Sequence, residues 1–318
     1  MSILSAPYFH DEAAAFEKLE SIIWPNGPVC PHCGEAKRIG ALEGVRTKPS
    51  KKHPEGKVRH GLKKCYACRK QFTVRIGTLF EDSSVPLHKW FQAAYLLCSS
   101  KKGMSSHQLH RVLEVTYKTA WFMTHRLREA MRDGELAGFG GNGGVVEVDE
   151  TFIGNDREKK PKHTKKGRGY AHKHKVLSLV DRETGRARSM VVDSLKAKDL
   201  TPILQANIDR ETHIMTDEAG QYKFLAKDFA AHDFTRHGNG EYVRGTIHTN
   251  TIEGYFSIFK RGMKGVYQHC AKRHLHRYLA EFDFRYNERK VDDMERTVRA
   301  LVGIKGKRLT YKGPYQEA

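Results

Sequence analysis

The pattern of apolar and polar residues predicts a chain of mixed α/β class. Period-two alternation with β-branched residues predicts a strand at 145–153. Short apolar runs predict three more strands, at 176–180, 187–192 and 213–216. Apolar residues at helical spacing predict helices within 1–24, 83–134, 200–208, 223–229 and 274–289.

The stretch 248–261 predicts a helix with one apolar and one polar face. Ile252, Tyr255, Phe256 and Phe259 fall on one side. Glu253 and Lys260 are seven residues apart, about two helical turns, and therefore point in the same direction on the polar side. An acid and a base are thus held in line. The structural alternative is a capping box in which Asn250 caps the helix and Glu253 bonds back to its amide.

Two further acids lie on predicted strands. Within 145–153, Glu147, Asp149 and Thr151 share one face, whereas Val146, Val148, Glu150 and Phe152 share the other. Asp217 follows the strand 213–216, at the carboxyl end where α/β proteins place their sites. A strand acid can also simply pair with a neighbouring Lys or Arg. Together with Glu253, these acids are the oxygen ligands that a pair of Mg²⁺ or Mn²⁺ ions prefers.

Four of the six cysteines form two Cys-x-x-Cys pairs with 31 residues between them. The pairs are Cys30 with Cys33 and Cys65 with Cys68. Four thiolates from two tight turns make a closed tetrahedral site for a structural Zn²⁺. The alternative is four unrelated buried cysteines.

Residues 83–134 predict a helix-turn-helix-like DNA-binding domain. A short helix opens at Ser105 or Ser106, and a basic helix begins near Lys118 after a tight turn. The side chains expected to face DNA on that helix are Lys118, Thr119, Phe122, His125 and Arg126. A plain helical linker domain is the alternative interpretation.

The charge of the chain favours a polyanionic partner. The formal net charge is +19 and the sequence pI is about 9.6, which indicates nucleic acid first. A basic loop at 155–175 holds nine Lys or Arg against two acids, and Lys165, Lys166 and Arg168 are its candidates for phosphate contact. Mean hydropathy is −0.64, and no apolar run approaches the ~20 residues of a membrane span. No secretory signal is visible, so we expect a cytoplasmic, chromosome-associated protein.

The spacing of the acids resembles that of the DDE transposase and integrase superfamily. There are 67 residues between Asp149 and Asp217 and 35 between Asp217 and Glu253, with Lys260 seven further on. More narrowly, the chain resembles insertion-sequence transposases of the ISXO type, which carry an N-terminal zinc ribbon. The matching segments are Trp24–Cys33, Val146–Thr151, His248–Glu253, Lys260–Gly262 and the stretch from Arg277 through Arg289.

The resemblance implies a domain order and an activity. It implies an N-terminal helix and zinc ribbon (1–82), the helix-turn-helix-like domain (83–134), a ribonuclease H-like catalytic domain (145–290) and a basic tail (291–318). The glycine-rich stretch 134–144 would separate the second and third domains. The implied activity is metal-dependent DNA cleavage at element ends, followed by strand transfer into target DNA.

The resemblance also implies roles for residues and partners. Asp149, Asp217 and Glu253 would hold two Mg²⁺ or Mn²⁺ ions, while Lys260 and Arg261 would contact the DNA backbone. The partners would be terminal inverted repeats and target DNA, and a homodimer or higher assembly would join two element ends.

Three other functions remain open on sequence grounds. In a tyrosine recombinase, the motif His274-Leu-His-Arg277 would assist Tyr278 or Tyr286 as nucleophile, without metal. A DNA-binding regulator would use the first 134 residues without catalysis. A metal-dependent nuclease would cut DNA without strand transfer.

Overall fold

The computed structural model describes residues 2–51, 53–132, 134, 138–154, 172–236, 238 and 243–310. The chain divides into two compact units. The first unit comprises the chain up to Ser100, Met104–Met131 and the segment from Val291 onward. The second comprises Lys101–Gly103 and Arg132–Lys290.

The first unit begins with a helix and a small antiparallel sheet. Helix α1 (Glu12–Ile23) is capped by Asp11, whose carboxylate accepts the amide N–H of Ala14 at 2.7 Å. The three strands pair in the order β1 (Ile39–Ala41), β2 (Lys63–Cys65) and β3 (Gln71–Phe72). Phe72 packs with Cys30 and Cys65, so the sheet and the cysteine turns share one small core.

Three helices follow in the first unit. They are α2 (Leu87–Ser99), α3 (Ser106–Leu113) and α4 (Tyr117–Ala130). Ser105 caps α3 and Thr116 caps α4, each by accepting an amide N–H from the first turn. Glu114 between them has a φ of 50°, which reverses the chain in a tight turn.

The second unit is built on a five-stranded mixed sheet in the order β6-β5-β4-β7-β8. Its strands are β4 (Val145–Ile153), β5 (His174–Asp181), β6 (Ala187–Val192), β7 (His213–Thr216) and β8 (Ala231–Phe234). Strands β4, β5 and β6 form an antiparallel meander, and β7 and β8 run parallel to β4. This strand order, in which β5 runs antiparallel to the other four strands, is that of the ribonuclease H-like fold, so the predicted fold class is confirmed.

Helices cover both faces of this sheet. They are α5 (Ala197–Asn207), α6 (Asn250–Gly262) and α7 (Lys272–Asn287), with a short hairpin of β9 (Val243–Arg244) and β10 (Ile247–His248) before α6. Val146 and Val148 pack with Leu204 of α5 on one face. On the other face, Val176 packs with residues of α6 and α7. The alternation along β4 therefore separates an apolar side from the side that faces α6.

Helix α8 (Asp293–Val302) brings the chain back to the first unit. Its N-terminus is capped by Asp292, and Leu301 is fully buried. The expectation of a basic tail is therefore wrong for 293–302, where an amphipathic pattern was overlooked. The predicted helix at 223–229 is also wrong: two single turns of 3₁₀-helix occur nearby, at Gly220–Tyr222 and Leu225–Lys227. Among the described helices, none is long and apolar enough to cross a membrane.

Candidate active site and zinc centre

The register of two parallel strands brings the first two acids together. Strand β4 pairs with β7 so that Val145 lies beside His213 and Glu147 beside Met215. Continuing that register by two residues places Asp149 opposite Asp217, at the end where β7 stops. Neighbouring strands are about 4.8 Å apart, so the two backbones bring both carboxyl groups to one edge of the sheet.

Glu253 reaches the same edge from helix α6. The apolar face of α6 is anchored as predicted, since Ile252, Tyr255, Phe256 and Phe259 are all buried. Glu253 is exposed on the polar face, where its carboxylate accepts a hydrogen bond from the Thr249 hydroxyl at 3.1 Å.

The interpretation of Asn250 as the helix cap is wrong. Helix α6 begins at Asn250 itself, and Thr249 occupies the cap position. Two turns further along α6, Lys260 is half-buried with its ammonium 5.7 Å from the centre of the Phe256 ring. Arg261 beside it is exposed, and its Nε donates to the carbonyl of Ser257.

The electrostatics of this edge favour a cation. Burial, reinforced by the charges of Asp217, Glu150 and Glu253, raises the pKa of Asp149 to about 8. The charges of these acids destabilise the charged form of Asp149. Divalent cations with a preference for oxygen ligands would relieve that repulsion.

Glu150, adjacent to Asp149, points to the opposite side of the strand. Its carboxylate accepts hydrogen bonds from the amide of Gln221 and from the hydroxyl of the buried Tyr222. Burial raises the pKa of Glu150, and the Tyr222 hydrogen bond opposes that shift. Because Gln221 and Tyr222 follow Asp217 by a few residues, Glu150 ties β4 to the segment that carries the second acid.

The donor set of this edge fits divalent ions by its chemistry. In the part of the chain that the structure describes, one group of three or more potential ligand side chains has all of its donor atoms within 4.8 Å of one another. That group is the four cysteines. The three carboxylates are spread more widely. Carboxylate oxygens are the donors that Mg²⁺ and Mn²⁺ prefer, so Asp149, Asp217 and Glu253 could hold such ions by their chemistry.

The four predicted cysteine ligands do converge. The Sγ atoms of Cys30 and Cys68 lie 3.7 Å apart, as do those of Cys33 and Cys65. A tetrahedral zinc site with Zn–S bonds of about 2.3 Å has S···S edges of about 3.8 Å. The backbone N–H of Cys68 contributes most to a lowering of the Cys65 pKa to about 7. Despite a backbone hydrogen bond from Glu35, burial and the other three thiols raise the Cys33 pKa to about 12, because adjacent thiolates repel one another until a cation binds them. The residues therefore fit a structural Zn²⁺.

The predicted DNA-facing residues of α4 divide into an exposed and a buried group. Lys118 is exposed and Thr119 is half-buried in the first turn of the helix. His125 and Arg126 are only 1% and 6% exposed. Arg126 donates to the backbone carbonyls of Glu81 and Leu309, and the His125 ring lies 4.0 Å from that of Trp121.

His125 and Arg126 are therefore corrected from DNA-contacting to core residues. A basic helix was recognised, but only its first turn extends beyond the packed part of the unit. The other predicted contacts, Lys165, Lys166 and Arg168, lie outside the described residues.

Sequence reasoning overlooked a buried ionic group beneath the start of α6. Glu147 on β4 is fully buried, ion-paired with Arg182 and hydrogen-bonded to the backbone of α6. Glu147 was placed on the same strand face as Asp149, which was a usable signal. Arg182 lies in the turn after β5, and nothing in its local sequence distinguishes it from a solvated residue.

Comparison with known proteins finds matches to two transposase domain models and to a protein of a transposable element. The model of the ISXO2-like transposase domain matches residues 142–287, and that of the transposase zinc-ribbon domain matches residues 10–71. An uncharacterised protein in the transposable element ISH50 of Halobacterium salinarum is 29% identical over 294 residues, covering 87% of this chain and 91% of the relative.

Solved structures show weaker similarity. The HTLV-2 integrase catalytic core domain in complex with magnesium is 13% identical, with a TM-score of 0.27, and the match covers 45% of this chain and 85% of that one. The Mos1 transposase paired-end complex with the left transposon end is 12% identical, with a TM-score of 0.28 and coverage of 67% and 74%.

Proposed function

We propose that this chain, whose residues 142–287 match the ISXO2-like transposase domain and whose residues 10–71 match the transposase zinc-ribbon domain, cuts DNA at the ends of an insertion sequence and joins those ends to target DNA. Asp149, Asp217 and Glu253 are the proposed catalytic residues. The observation that supports this proposal most strongly is the alignment of Asp149 with Asp217 across a parallel strand pair, in surroundings that raise the Asp149 pKa to about 8.

The chemistry follows from the oxygen donors at this edge. Two bound Mg²⁺ or Mn²⁺ ions would activate water or a 3′-hydroxyl and stabilise the oxygen that leaves the phosphodiester. Asp149 and Asp217 provide rigid ligands on the sheet, and Glu253 provides one from the helix. Lys260, on the polar side of the same helix, would hold a neighbouring phosphate as a point charge. Arg261 would contact the backbone next to it.

DNA recognition is proposed for the first unit. The zinc ribbon and helices α3 and α4 would bind terminal inverted repeats, in line with the net charge of +19. With His125 and Arg126 in the core, the proposed contacts move to the exposed ends of α3 and α4, at Arg111, Tyr117 and Lys118. Thr119, Lys165, Lys166 and Arg168 stay candidates for phosphate contact. Because two element ends must be joined, we propose a homodimer or higher assembly on DNA.

A transposition assay in cells tests this function. The protein is supplied in trans to a selectable marker that is flanked by the terminal inverted repeats of the element. We expect marker insertions at new sites with the wild type, and none with Asp217→Asn or with DNA that lacks the repeats. Binding to the repeats with no insertion by the wild type would favour the regulator, and cutting without joining would favour the nuclease.

A further inference from the structure

A buried ionic group connects strand β4 to the first turn of helix α6. Glu147 has no exposed surface, and its two carboxylate oxygens have different partners. Oε1 accepts the Nε–H of Arg182 at 2.6 Å, and Oε2 accepts the backbone N–H of Ile252 at 2.8 Å. Ile252 immediately precedes Glu253, so the carboxylate of Glu147 holds the backbone next to the third acid.

Arg182 fixes the chain that leads into the same helix. Its guanidinium donates to the carbonyl of Thr246 at 2.7 Å and to the carbonyl of His248 at 2.6 Å. It also lies 2.8 Å from Nδ1 of the His248 ring. Nδ1 also accepts the backbone N–H of Asn250 at 3.3 Å, so the His248 ring links Arg182 to the first residue of α6. The planar fork of arginine allows one side chain to hold several oxygen and nitrogen acceptors at once.

The first turn of a helix has amide N–H groups that lack partners within the helix. In α6, the cap residue Thr249 supplies no side-chain hydrogen bond to an amide. Glu147 supplies one from a different element instead. A negative charge at this position also interacts favourably with the helix dipole. The start of α6 is therefore set by β4 and by the turn after β5.

We propose that Glu147 and Arg182 are positioning residues that fix where helix α6 begins, and so where Glu253 stands relative to Asp149. This inference rests on the proposed metal-dependent cleavage. Asp149 and Glu147 are on the same face of one strand, two residues apart, while Ile252 and Glu253 are consecutive on the helix. The Glu147 carboxylate thus connects Asp149 to Glu253. It is two residues from Asp149 along β4, and it binds the residue next to Glu253 on α6.

The test compares Glu147→Ala, Glu147→Gln and Arg182→Lys in single-turnover cleavage of end DNA, with Ca²⁺ binding measured by calorimetry. Glutamine keeps an acceptor for the Ile252 amide but loses the charge that faces Arg182. Because a displacement of about 1 Å can cost about 100-fold in rate, we expect that loss for alanine and a smaller one for glutamine. We also expect weaker Ca²⁺ binding for alanine, and the amides of the first turn of α6 should exchange hydrogen faster.

Glu281→Gln is the matched control. Glu281 is another fully buried glutamate in the second unit, and it is ion-paired with Arg285 on helix α7. Glu281→Gln also removes a buried glutamate that is paired with an arginine. Its cleavage rate therefore shows how much activity is lost through lower stability alone. Folded protein is quantified for every variant by its thermal unfolding transition.

A double variant provides the sharpest result. If Glu147 and Arg182 act as one unit, the rate of Glu147→Ala with Arg182→Ala will be close to that of the worse single variant. The inference would be overturned if Glu147→Ala retained the rate and the Ca²⁺ affinity of Glu281→Gln, or if the two losses multiplied independently. Absence of cleavage in the wild type as well would refute the proposed function instead, whereas the hydrogen exchange of α6 would still decide whether the anchoring exists.

Discussion

Replacement of Asp149 by asparagine is expected to stabilise the metal-free protein while abolishing its activity. In the folded chain, burial and the neighbouring acids raise the pKa of Asp149 from 3.8 to about 8. In the unfolded chain, Asp149 is solvated and its pKa has the ordinary value of 3.8. The charged carboxylate therefore opposes folding, and the penalty grows as pH rises from the unfolded pKa to the folded one.

The magnitude follows from the size of the shift. The Asp149 pKa in the unfolded chain lies about three units below pH 7. The charged carboxylate therefore lowers the free energy of unfolding at pH 7 by at most about 4 kcal/mol. Asparagine also loses solvation when it is buried, so we expect about half of that gain. At about 2–4 °C per kcal/mol for a unit of this size, the melting temperature should rise by about 4–8 °C at pH 7, and by slightly more at pH 8. At pH 5 the rise should shrink to about 2 °C.

The assay is thermal unfolding in magnesium-free buffer at pH 5 and pH 8, following the transition of the second unit. Asp199→Asn serves as the control, because Asp199 is an exposed carboxylate in the same unit and its loss should move the transition by less than about 2 °C. Added Mg²⁺ should raise the melting temperature of the wild type but not that of Asp149→Asn. At a hundredfold excess of Mg²⁺ over its Kd, the wild type should gain about 2.7 kcal/mol in free energy of unfolding. A lower melting temperature for Asp149→Asn at pH 8, or the same shift at both pH values, would refute the reasoning.

Three further outcomes follow from the structure. Cys33→Ser should remove one zinc ligand and lower the zinc content measured by atomic absorption, with loss of binding to end DNA; retained zinc at one ion per chain would contradict the site. Lys118→Ala should weaken DNA binding and reduce the slope of log K against log salt by about 1, whereas Arg126→Ala should lower thermal stability and leave that slope unchanged in fluorescence anisotropy. Gly262→Ala should destabilise the second unit by about 1–3 kcal/mol in urea unfolding, because a Cβ there would lie 2.4 Å from the buried ring of Phe282; an unchanged midpoint would show that the ring can move aside.

Four of the five strands in the large sheet were predictable because each has a short-range apolar pattern, whereas β8 was not predicted. The alternation in 145–153 identified both the strand and the face that carries Asp149. The apolar residues of 248–261 identified the side of α6 that packs. The two Cys-x-x-Cys pairs predicted the zinc centre, since each pair places two thiols on one tight turn and four thiols complete a tetrahedral site.

Long-range contacts were not predictable from these patterns. Arg126 appears in the sequence as part of a basic helix, and only the packed structure shows that the carbonyls of Glu81 and Leu309 surround its guanidinium. The bond between Glu147 and the Ile252 amide joins residues that are 105 positions apart. Helix α8 was different: its cap at Asp292 and its apolar spacing were visible in the sequence, but the basic residues that follow drew the interpretation towards a tail.

Cleavage of labelled DNA that carries the element ends tests the central claim most directly. The wild type, Asp149→Asn, Asp217→Asn and Glu253→Gln are compared at equal DNA occupancy, with Mg²⁺ or with a chelator that spares the bound zinc. The account predicts cutting by the wild type with Mg²⁺ alone, and at least a hundredfold loss in each variant, on the order of a misplaced or missing catalytic group. Cutting that persists without Mg²⁺, or a covalent link between the protein and the cut strand, would contradict it.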